Sequence, residues 1–77
     1  MFKPYDVVTI KKVIKNYNYV KYPFNKRRPA FNDTAKITKV YSKPLGYELE
    51  CCNGRGKTEW LLSFAANEIE LELISSK

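Results

Sequence analysis

Cys51 and Cys52 stand side by side, with Arg55 and Lys57 close behind them in the chain. A thiol among cations suits a thiolate nucleophile. Such a nucleophile still needs a base, and the chain has no histidine, the commonest general base and a common metal ligand. In a strand, neighbouring side chains point to opposite faces, so the plain reading is one inward and one outward thiol. A vicinal disulfide or a metal site is the alternative. Glu48, Glu50, Glu59, Glu70 and Glu72 fall at outward strand positions and read as a solvated face, not as a paired acid and base. The run "NGRGK", 53–57, suggests phosphate binding. A Walker loop, however, puts four residues between its glycines and then opens a helix. Here only Arg55 separates Gly54 from Gly56, and a strand pattern follows. The run is a hairpin turn with Arg55 and Lys57 at its tip, available to a partner. No enzyme, metal or cofactor is expected.

The stretch "NYNYVKYPFNKRRPAF", Asn16 to Phe31, carries different chemistry. It interleaves Tyr17, Tyr19, Tyr22, Phe24 and Phe31 with Lys21, Lys26, Arg27 and Arg28, and holds no acid. Tyrosine and arginine are enriched at protein hot spots. Rings between cations also suit single-stranded nucleic acid, where bases stack and phosphates pair. A structural role is open beside these: Tyr17, Tyr22, Phe24 or Phe31 folding back as a lid on a small core. The expected partner-binding residues are Tyr19, Tyr22, Lys26, Arg27, Arg28, Arg55 and Lys57.

The surrounding elements are short strands. "YDVVTIKKVIK", 5–15, is rich in β-branched residues that sit badly in a helix. Residues 16–34 form a connection with Pro23 and Pro29, longer than joining two strands requires. "AKITKVY", 35–41, cannot turn both Ile37 and Val40 inward without a bulge near Thr38. "YELEC", 47–51, alternates, with Tyr47, Leu49 and Cys51 inward. Asn53-Gly54 suits a hairpin that needs positive φ. "TEWLLSF", 58–64, puts Trp60, Leu62 and Phe64 on one face. "AANE" makes a corner of 3₁₀ type. "IELELI", 69–74, turns Ile69, Leu71 and Leu73 inward. Five such strands predict an all-β fold: a small five-stranded antiparallel SH3-like barrel with a long basic, aromatic loop between strands 1 and 2.

"YDVV" at 5–8, "AKITKVY" at 35–41, "GYELEC" at 46–51 and "NEIELE" at 67–72 resemble core segments of small SH3-like proteins in uncharacterised bacterial families. Their usual glycines before the second strand are replaced here by Asp33 and Thr34. Some of those proteins look like immunity partners of secreted toxins. The resemblance implies a non-enzymatic inhibitor that binds a cognate toxin, or a phage-encoded inhibitor of a host protein.

At 77 residues the chain makes one domain with one small core. No apolar run is long enough for a membrane helix, and the first residues lack the apolar stretch of a signal peptide. A cytoplasmic protein with reduced thiols is expected. The net charge of +6 is unevenly spread. Residues 1–46 hold eleven Lys or Arg against Asp6 and Asp33, whereas residues 47–77 hold three against six glutamates. This implies a basic end and an acidic end. A protein partner, a toxin in the leading reading, is expected. A nucleic-acid-binding module using the basic aromatic loop is the alternative.

Overall fold

The computed structural model describes residues 2–14 and 25–75. Its strands are β1 (Val7–Val13), β2 (Thr34–Ser42), β3 (Leu45–Cys52), β4 (Thr58–Ala65) and β5 (Ile69–Ser75). They form one antiparallel sheet in the order β4-β3-β2-β1-β5. The fold is therefore all-β, as the alternating segments require. The sheet is not closed: β4 and β5 are its two edges and do not pair. No helix among the described residues is long and apolar enough to cross a membrane.

The expected bulge in β2 is present. The β2–β3 register shifts between Ile37 and Lys39, so Ile37 enters the core while Val40 keeps a partly buried place on the same strand. The expected corner is a 3₁₀ turn over Ala66–Glu68, where Glu68 Oε1 accepts the Ala65 N–H at 2.9 Å. The hairpin after β3 also forms, with a correction. Its positive φ falls on Gly56 (+78°), not on Asn53 or Gly54. Asn53 instead closes the turn with its side chain, its Oδ1 accepting N–H groups from Arg55 at 2.8 Å and Lys57 at 3.1 Å. This Asx geometry competes for backbone donors and removes the need for a left-handed asparagine.

β1 is shorter than the pattern at 5–15 suggested. Tyr5 has φ +73°, which ends the strand, and Asp6 turns its carboxylate back to the Lys3 N–H at 2.9 Å. Asp6 is buried, and its Oδ1 has no hydrogen-bond partner among the described residues. Leu73 is a second correction: it is 49% exposed, and Leu71 is only partly buried. The β1–β5 ladder shifts register twice, between Ile10 and Lys12 and between Val7 and Val8. Leu73 still stands opposite the buried Val8, but β5 is an edge strand, and among the described residues no strand lies on its outer side to cover it.

The core is otherwise built as alternation demands. Val8, Ile10, Ile37, Leu49 and Trp60 are fully buried, and Tyr47, Cys51, Leu62, Phe64 and Ile69 nearly so. Trp60 and Phe64 meet edge to face with centroids 6.4 Å apart, a favoured arrangement of ring quadrupoles. Cys51 is buried and Cys52 exposed, both as free thiols. Close strand contact falls at Gly46, where an added Cβ would lie 2.6 Å from the Phe64 carbonyl oxygen. Backbone cannot yield there as a flexible side chain would. Gly46→Ala is expected to lose roughly 1–3 kcal/mol, the usual range for overpacking. Urea denaturation checks this; an unchanged midpoint would show that β3 and β4 can separate at that point without cost.

Candidate functional site

Arg27 is the residue around which the end of the sheet near the β3–β4 hairpin is assembled. Its guanidinium grips Asp33 with both prongs, Nη1 to Oδ2 at 2.8 Å and Nη2 to Oδ1 at 3.0 Å. Its Nε donates to Glu59 Oε1 at 3.3 Å, and Nη2 lies 3.7 Å from the Cys51 sulfur. The planar fork of arginine suits this two-pronged recognition, which lysine cannot copy. Asp33 Oδ2 also accepts the Ala30 N–H at 2.8 Å and the Trp60 indole N–H at 3.1 Å. The latch therefore reaches into the core, because the one polar atom of Trp60 is bonded to it.

Backbone contacts extend the latch in both directions. The buried Asn25 accepts the Leu61 N–H on Oδ1 at 2.7 Å, and the Lys26 N–H donates to the Glu59 carbonyl at 2.8 Å. Both bonds fall on β4, an edge strand, and cover part of its open side. On the far side Asn32, with φ +73°, donates its N–H to the Ile10 carbonyl at 2.8 Å, and the Ile10 N–H donates to the Asp33 carbonyl at 2.8 Å. Residues 25–33 thus strap the sheet from β4 to β1.

The electrostatics follow from the contacts. Hydrogen bonding to Asp33 holds the Arg27 proton more firmly than usual. For Asp33, burial pushes the carboxyl up, but the Arg27 fork, the Ala30 N–H and the Trp60 indole together hold it below the ordinary aspartate value. Burial, with the Asp33 charge nearby, raises the Cys51 thiol. A raised, buried thiol is a poor nucleophile.

Five of the site residues expected from sequence, Arg27 among them, are brought to one end. Lys26 and Arg28 flank Arg27 in the strap; Arg55 and Lys57 lie in the hairpin turn held by Asn53. The two segments are joined through Glu59, whose Oε2 takes the Asn53 Nδ2 at 3.4 Å while its Oε1 takes Arg27. Lys26, Arg28, Arg55 and Lys57 are all exposed. Lys26, Arg55 and Lys57 form no ion pair among the described residues. Arg27 does not present its charge outward, since both acids at this end are spent on it. Glu59 likewise belongs to the latch and not to a solvated face. Tyr19 and Tyr22, with Tyr17 and Phe24, lie outside the described residues. Phe31 is no lid: it is 67% exposed, with Lys11 Nζ 5.6 Å from its ring centroid.

The split of charge along the chain does not survive folding. β1 pairs with β5 and β2 with β3, so basic strands lie beside acidic ones. Lys12 stands opposite Glu70, Lys36 opposite Glu50 and Lys39 opposite Glu48. Lys11 Nζ lies 3.6 Å from Glu72. Opposite charges across a ladder are mildly favourable. At the strap and the hairpin tip, Lys26, Arg55 and Lys57 keep their charge outside such pairings among the described residues.

Asp33, Glu59, Asn53 and Asn25 were not legible as a unit in the sequence. They are separated by up to 34 positions, and only the return of β4 past the strap brings them together. No family model, no curated protein and no solved structure matches the chain.

Proposed function

We propose that this chain is a non-enzymatic binding protein that holds an acidic face of a protein partner at its cationic end and blocks that partner, as an immunity protein blocks a cognate toxin. A phage-encoded inhibitor of a host protein would use the same surface. The observation that carries the reading is the convergence of Lys26, Arg28, Arg55 and Lys57 around the Arg27–Asp33–Glu59 latch. Cations held on a strapped segment and a closed turn lose little freedom on binding, which favours affinity. Four exposed cations outweigh the one carboxylate charge that Arg27 leaves uncompensated in the latch, so the balance at the strap and turn favours an anionic partner. The strand order, with β1 between β2 and β5 and a 3₁₀ turn before β5, supports an SH3-like fold, a barrel left open between β4 and β5. The resemblance of the strand segments to small SH3-like bacterial proteins supports the inhibitor role. Reduced Cys51 and Cys52 fit a cytoplasmic setting.

A nucleic-acid partner is the second reading. It is favoured by Phe31, an exposed ring on the strap with Lys11 of β1 beside it, as base stacking next to phosphate pairing requires.

The test is capture from nuclease-treated lysate by the wild-type chain and by a variant carrying Lys26→Glu, Arg28→Glu, Arg55→Glu and Lys57→Glu. The expected result is a co-purifying protein whose activity is inhibited by the wild type and not by the variant. Reversing anchoring charges at a protein interface should weaken binding by about 2 kcal/mol or more, unevenly over the four positions. Recovery of nucleic acid alone, released above about 0.3 M salt as phosphate-driven binding is, would replace the inhibitor reading with the second one.

A further inference from the structure

The two edges of the sheet are treated differently. The β4 edge is covered by the Asn25 side chain and the Lys26 backbone, which take up its Leu61 N–H and Glu59 carbonyl. Among the described residues nothing pairs with the outer side of β5. Edges are usually blunted by lysine, proline or a covering segment. β5, "IELELIS", contains neither lysine nor proline. It leaves Leu73 49% and Ile74 55% exposed, on a strand whose outward charges are Glu70 and Glu72.

We propose that the outer edge of β5 is a strand-addition site for an extended, lysine- or arginine-alternating segment of a partner protein. The chemistry of the occupant can be read from the inner side of the same strand. There β5 already pairs with a lysine-bearing strand, β1, which sets Lys12 opposite Glu70 and Lys11 Nζ 3.6 Å from Glu72. A second cationic strand repeats that pairing on the open side, with main-chain hydrogen bonds supplying affinity and alternate side chains supplying selectivity. Its aliphatic positions, on the face opposite the lysines, would cover Leu73. A second copy of this chain is a poor occupant. Antiparallel pairing of two β5 strands centred on Glu70, Leu71 or Glu72 sets glutamate against glutamate, which is destabilising. The glutamates thus admit a basic strand and disfavour self-pairing in those three registers. This site is separate from the cationic end, at the other limit of the strand order, and does not depend on the inhibitor reading.

The probes are two blocked synthetic peptides, KVKVKVK and its counterpart EVEVEVE, added to the full chain. Fluorescence anisotropy reads affinity, and amide hydrogen exchange reads location. The lysine peptide is expected to bind and to slow exchange within Ile69–Ser75, and the glutamate peptide to do neither. In the double variant Glu70→Lys, Glu72→Lys the lysine peptide should bind about tenfold more weakly, near 1.4 kcal/mol, and the glutamate peptide should gain binding. If that variant loses its melting transition, Leu73→Lys, at an exposed position, takes its place, with weaker binding of the lysine peptide expected. Equal protection of β5 by both peptides, or by neither, would overturn the proposal. So would concentration-dependent dimerisation of the wild type with protected β5 amides.

Discussion

Trp60→Ala is expected to remove most of the protein's stability and to lower its melting temperature by more than about ten degrees. Trp60 has no exposed surface, packs edge to face on Phe64, and bonds Asp33 through its indole N–H. Truncating a buried aromatic costs about 3–5 kcal/mol. A chain of this size has only about 5–8 kcal/mol to lose. The loss has two parts: a large cavity in the core, and an Asp33 carboxylate deprived of one donor. Trp60→Phe separates them, since it keeps most of the volume and removes the hydrogen bond. It should cost less, about 1–2 kcal/mol for a hydrogen bond to a charged group with some change of shape. Thermal denaturation followed by circular dichroism checks both. A melting temperature for Trp60→Ala within a few degrees of wild type would show that the indole is not part of the core.

The second large effect lies at Asp33. Asp33→Ala removes the acceptor for both prongs of Arg27, for the Ala30 N–H and for the Trp60 indole. Breaking a fully buried ion pair costs about 3–5 kcal/mol. The Arg27 side chain is 40% exposed, so water can recover part of its solvation, and about 2–3 kcal/mol is expected here. The same residue gives the protein an acid dependence with a definite sign. The folded state holds the Asp33 carboxyl below its ordinary value, so the unfolded chain takes up that proton first. Its contribution to stability is present above the ordinary aspartate range and is lost as pH falls through and below it. Asp33→Asn, which keeps the shape and cannot ionise, should be less stable than wild type at pH 7. The gap should close as pH is lowered toward about 3, below the usual aspartate pKa. Urea denaturation at a series of pH values measures it. A constant difference across that range would mean that the carboxylate charge is not what holds the latch. The strap carries Lys26 and Arg28, so loosening it should also weaken partner binding, even though Asp33 faces no partner itself.

The strands were legible because burial on one face imposes a period of two, and Tyr47–Cys51 and Trp60–Phe64 keep that period without interruption. The bulge near Thr38 was legible for the same reason, since Ile37 and Val40 break the period by one residue. The limits of that reasoning show at Leu73. Alternation places it with Ile69 and Leu71, and the register sets it opposite the buried Val8, but only the strand order makes β5 an edge, where Leu73 stays 49% exposed. Gly56 shows the limit at a turn: Asn53-Gly54 marks the hairpin, while the choice of which residue takes positive φ depends on the Asn53 side chain capturing the Arg55 and Lys57 N–H groups.

Charge is where sequence and tertiary structure part most clearly. The sequence determined the amounts: a basic first part, an acidic last part, and a cluster of cations at 26–28. Only the fold decided where those charges act. Antiparallel pairing of β1 with β5 and of β2 with β3 lays lysines against glutamates that are far away in the chain, because a ladder is set by apolar burial and carries its outward charges along with it. Arg27 was legible as a cation beside two others, yet its guanidinium faces Asp33 and Glu59 while Lys26 and Arg28 remain exposed. The reason is local geometry and cost together. The strap crosses the edge of the sheet at the one place where Asp33, Glu59 and the Trp60 indole converge, and carboxylates and an indole N–H drawn out of water need a donor and an acceptor there. Composition supplies the arginine; long-range convergence gives it a structural task.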